Sequence, residues 1–139
     1  MDLSIVFFFA AVIIIGGLLF ALIGLTKKGS KHLNMEQYRV KWLSIEQQLK
    51  KDEPASFSLC VLNADKLLDQ ALRERGLKGQ TMAERMRSGA QLFSNRNNVW
   101  SAHKLRNRIA HETDVRVSYD DARYALSYFK QALKDVGAI

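Results

Sequence analysis

The stretch Leu3–Leu25 holds 23 residues with no charge and a single hydroxyl, Ser4. As a helix it would measure about 35 Å, enough to cross a hydrocarbon core of about 30 Å with some tilt. The sequence therefore predicts a single-span membrane anchor over residues 1–26. A cleaved secretion signal is the rival reading, but such signals carry a basic start and a shorter apolar run ending in a small-residue cleavage site. Here only Asp2 precedes the run, and Lys27, Lys28 and Lys31 follow it. Lysines on the C-terminal side predict an external N-terminus and a cytoplasmic remainder at the cell membrane. The same three lysines are placed to meet anionic lipid headgroups.

Residues 27–33 (TKKGSKH) read as a basic linker, and 34–139 as one small helical domain. Tyr38, Trp42, Ile45 and Leu49 recur at helical spacing and predict a helix over 34–51 with these residues inward. Pro54 suits the start of a second helix, 55–75, whose stripe is expected to include Leu59, Leu62, Leu68 and Leu72. Gly76 fits a left-handed cap, and Gly79 is expected to keep the next residues loose. Thr81 with Glu84 reads as a capping box opening a short helix, 82–88. A fourth helix over 97–112 and a fifth over 119–136, started by Ser118 with Asp121, complete the domain. Ala122, Ala125, Leu126, Phe129 and Leu133 should face inward. No stretch alternates with period two, so the predicted class is all-α: one transmembrane helix followed by a four- to five-helix bundle.

The net charge is +7, and it is concentrated. From Arg73 to Arg108 nine basic residues face only Glu74 and Glu84. Such a region points either to a polyanionic partner, nucleic acid or anionic lipid, or to a plain solvated surface. Cys60 is alone among apolar neighbours, which excludes an intrachain disulfide and a cysteine metal cluster and predicts a small buried side chain.

That basic region ends in Leu105–Glu112, LRNRIAHE. On a helical wheel Ala102, Leu105 and Ile109 form an inward stripe, and His103, Asn107 and His111 form a polar ridge nearly opposite, expected to be exposed. His103 and His111 stand about 12 Å apart along the axis, too far to share a metal ion. No phosphate-cradling glycine loop or nucleophile elbow occurs, so neither metal nor other cofactor is expected. Arg106 and His111 remain. A guanidinium grips phosphate oxygens in pairs, and an imidazole moves protons near neutral pH. In RNA the 2′-hydroxyl is a built-in nucleophile, so a phosphate clamp and a proton carrier would suffice for cleavage. The alternative is that these are solvated residues on an exposed helix face.

Arg106-Asn107-Arg108-Ile109-Ala110-His111 resembles the R-x4-H signature of the HEPN superfamily, and ADKLLDQALRERG resembles its leucine-rich helix; the resemblance spans about 34–137. It implies a HEPN-like bundle, a homodimer that pairs the Arg and His across its interface, and in many members metal-independent endoribonuclease activity. On that resemblance Arg106 clamps phosphate, His111 is the general acid/base, and Asn107 orients or binds. Lys104, Arg108 and His103 are expected to line the same groove, His103 without a family role. Many members are non-catalytic, so the alternative implied is a membrane-anchored binding or dimerisation module for nucleic acid, nucleotide, anionic lipid or protein.

Overall fold

The structure, a computed structural model, describes residues 2–26 and 31–139. The chain divides into two compact units, Met1–Ser30 and Lys31–Ile139. The first unit is α1 (Leu3–Thr26). Phe7, Phe8 and Ile13, on different sides of it, are each more than half exposed. A helix apolar all round has no polar face for water, and this one is long and apolar enough to span a membrane. Of the expected linker, Lys27 and Lys28 lie outside the described residues; Lys31 is described and exposed.

The second unit is built from α2 (Met35–Gln48), α3 (Ala55–Glu74), α4 (Met82–Ser88), α5 (Arg96–His111) and α6 (Tyr119–Asp135), with a 3-10 turn at Ala90–Leu92. No strand occurs among the described residues. Polar caps set the starts. Asn34 and Asn95 accept from the N–H of Gln37 and Asn98, and Thr81/Glu84 and Ser118/Asp121 form complete capping boxes. The end of α2 falls three residues short of the expected Lys51, because the Ser56 hydroxyl takes the Lys50 N–H at 3.1 Å and holds the connection as a loop. Gly76 ends α3 at φ +88°, with the Leu77 N–H returning to the Leu72 carbonyl.

α3 is the central element and packs against each of the other four helices. Val61, Ala64, Leu68 and Leu72 meet Tyr38, Trp42 and Ile45 of α2, Val99 and Ala102 of α5, and Phe129 and Leu133 of α6 in one core. Cys60 is fully buried within it. Leu59 was expected in this stripe but is 50% exposed. It points about 160° from Val61, on the face of α3 turned away from the core. Buried Arg85 fixes α4 to α3, with Nε 2.8 Å from Asp69 Oδ1 and Nη1 donating to the Gly79 carbonyl at 2.8 Å.

Gly79 is therefore a close-packing position rather than a loosening one. A Cβ there would stand 2.7 Å from the Arg85 nitrogen and from the Glu84 Cβ, on a backbone already at φ +152°. Gly79→Ala is expected to cost about 2 kcal/mol in chemical denaturation; an unchanged midpoint would show that the start of α4 shifts freely.

Three carboxylates tie acid stability to this architecture. Hydrogen bonds from Tyr38 and then Gln70 hold Glu74 below the usual glutamate range. Backbone N–H donors at Gln80 and Thr81 do the same for Glu84, and at Ser118 for Asp121. Each folded value lies below the unfolded one, so the stabilisation is complete above the ordinary 4.5 of glutamate and 3.8 of aspartate. It is lost as pH falls through the folded values. Thermal midpoints should be flat from neutral pH to about 5 and fall below about 4; a midpoint that rises on acidification would contradict these pairings.

Candidate functional site

α3 and α5 lie side by side and bury two polar residues between them, Asp65 (3% exposed) and His103 (5%). A carboxylate at that depth is tolerated only with partners, and Asp65 divides its oxygens between two. Oδ1 is 2.7 Å from His103 Nδ1, and Oδ2 is 3.3 Å from Arg106 Nε. Asn107, one turn beyond His103, closes the set. Its Nδ2 faces His103 Nε2 at 3.3 Å, and its Oδ1 accepts from Arg106 Nη1 at 3.0 Å.

The four side chains form a ring whose donors and acceptors match in one way only. His103 turns Nδ1 to Asp65 as donor and Nε2 to the Asn107 amide nitrogen as acceptor. A proton on Nε2 would oppose the Asn107 amide nitrogen. Turning that amide round would set its nitrogen against Arg106. The ring thus engages the Nε and Nη1 nitrogens of the Arg106 guanidinium. The Arg106 side chain keeps 36% exposure, and Nη2 is the guanidinium nitrogen outside the ring.

The expected exposed ridge of His103, Asn107 and His111 is corrected at its first two positions. His103 is buried, and Asn107 is half-buried in the ring. The core-facing arc of α5 passes through Val99, Ala102 and His103, while Leu105 and Ile109 are only partly buried. A polar side chain that meets its partner packs inward like an apolar one. His111, the last residue of α5, is exposed as expected.

The other two expected residues lie elsewhere on α5. Lys104 and Arg108 line a groove of about 940 Å³ against α6, together with Arg87, Trp100, Tyr124 and Tyr128. The Arg87 guanidinium carbon lies 5.6 Å from the centre of the Trp100 ring, and the other contact of that ring is edge-on with His103 at 6.0 Å. Trp100 therefore touches both the groove and the buried ring. Arg108 is 3.6 Å from Glu112 on an open surface.

Arg106 and His111 are five residues apart on one helix, which sets them about 7.5 Å along the axis and about 140° around it. Within one copy they diverge. Among the described residues no three His, Cys, Asp or Glu side chains converge as metal ligands. Sequence reasoning missed Asp65. Its signal was its position, about 20° from Leu72 on the α3 wheel, where a carboxylate must have a partner.

Compared with known proteins, the chain matches no family model, no curated protein and no solved structure.

Proposed function

We propose that this chain is a membrane-anchored, HEPN-like RNA-binding domain that cleaves RNA without a metal, pairing Arg106 of one copy with His111 of a second. The observation that carries the reading is the ring of Asp65, His103 and Asn107, which spends three polar side chains on aiming one partly exposed guanidinium. A surface arginine with no task has no need of such a mount. The R-N-x3-H pattern and the all-helical layout support the same reading.

The chemistry follows from the groups. The 2′-oxygen attacks the adjacent phosphorus and the bond to the 5′-oxygen breaks, leaving a 2′,3′-cyclic phosphate and a 5′-hydroxyl. Arg106 offsets the charge that builds on the phosphoryl oxygens. His111 of the second copy takes the 2′ proton, and water protonates the leaving 5′-oxygen. The divergence of Arg106 and His111 within a copy is the reason for invoking the dimer. The positive-inside bias of Lys27, Lys28 and Lys31 in the sequence supports a cytoplasmic domain.

The full chain in neutral-lipid nanodiscs should cut single-stranded RNA in EDTA and leave the cyclic end. If it binds RNA and never cuts it, the second reading holds: a non-catalytic binding module. That reading is favoured by the same divergence wherever the chain stays monomeric.

A further inference from the structure

We propose that the groove between α5 and α6 takes an unpaired stretch of RNA, with bases stacked at Trp100 and phosphates on Arg87, Lys104 and Arg108. The inference rests on the reading that the chain acts on RNA, and it names the form of RNA and the path it follows.

Charge is the first argument. Arg87 and Lys104 are exposed and, among the described residues, neither closes an ion pair; the contact of Arg108 with Glu112 is 3.6 Å between side chains each 57% exposed and is worth little. Asp121 is the acid in the groove lining, and its carboxylate is already committed to the Ser118 N–H at 3.0 Å. Lys104 and Arg108 are one helical turn apart, about 6 Å, a step that suits successive phosphates of an extended strand.

The aromatic lining is the second argument. Trp100 carries the Arg87 guanidinium over its ring, and Tyr124 is 54% exposed with Arg123 at 5.3 Å from its centre. Rings and guanidinium planes are the surfaces on which unpaired bases stack, and they are unreadable to a duplex whose bases are already stacked. A flat membrane surface would use the cations and leave the concave aromatic wall unused. The edge contact of Trp100 with His103 puts this path against the ring that mounts Arg106. Arg106 itself lies outside the groove lining, about 160° around α5 from Lys104 and Arg108.

The test uses the full chain in neutral-lipid nanodiscs, carrying His111→Ala so that RNA survives. The probe is a short fluorescein-labelled oligouridylate, compared by anisotropy with its duplex. Trp100→Ala should weaken single-strand binding by on the order of ten-fold, Trp100→Phe should retain most of it, and duplex should bind less well than single strand. Lys104→Gln and Arg108→Gln should each lower the slope of log affinity against log salt by about 0.7. Lys104→Glu, at an exposed position, covers the case in which Trp100→Ala unfolds. RNA binding that ignores all these substitutions overturns the groove and leaves the RNA reading intact. Equal binding of duplex, or groove variants that change the sedimenting mass instead of RNA affinity, also overturns it. Absence of any RNA binding by a folded chain removes both.

Discussion

Asp65→Ala is expected to lower folding stability by about 3 kcal/mol, because it leaves the buried His103 Nδ1 without its acceptor and takes from Arg106 Nε its carboxylate partner. The loss should rival that of a buried leucine, although no cavity of comparable size is made. Asp65→Asn should fall between, since its oxygen can still accept from His103 while its amide nitrogen opposes Arg106. The informative variant is Asp65→Leu with His103→Leu. Replacing a buried polar pair by apolar side chains commonly restores stability, but here it would also release the Arg106 guanidinium. Calorimetry should show recovery of the melting midpoint while RNA cleavage stays low. Recovery of both would reduce the ring to packing.

His111→Ala is expected to act in the opposite sense. His111 is exposed at the end of α5, so its removal should leave the melting midpoint unchanged. Cleavage should fall by about a hundred- to ten-thousand-fold, the usual contribution of a positioned acid or base. RNA affinity, which draws on Lys104, Arg108 and Arg87, should hold. Arg106→Lys should fail almost as badly, because an ammonium cannot hold Asp65 and Asn107 through two separate nitrogens and still offer a planar donor group to phosphate. Cleavage that persists in His111→Ala would take that residue out of the chemistry.

The helices were legible in the sequence because their punctuation is local. Thr81 with Glu84 and Ser118 with Asp121 announce their own helix starts, and Gly76 its helix end, within a few residues. Tyr38, Trp42, Phe129 and Leu133 reach the core because apolar spacing alone decides their side. Leu59 shows the limit of that rule, since an apolar residue between two apolar faces gives no sign of which one is covered. The polar ring was illegible for a different reason. A wheel that sends polar residues outward misplaces His103, whose inward turn depends on Asp65, 38 residues away in sequence. Lys104 and Arg108 were singled out by charge, but the aromatic wall that makes a groove of their surroundings comes from α6 and from Trp100. Those are long-range facts, and only the packing of α5 between α3 and α6 brings them together.

The most direct test is complementation between copies. Arg106→Ala and His111→Ala chains, each inactive alone, are co-expressed and reconstituted together in nanodiscs, and cleavage of single-stranded RNA in EDTA is measured. If the site joins Arg106 of one copy to His111 of the other, half of the dimers are mixed and each mixed dimer holds one intact site. Activity should then return to about a quarter of the unsubstituted level, by random pairing across a twofold interface. A mixture as inactive as its two components, while the unsubstituted chain cuts RNA, would contradict a shared site.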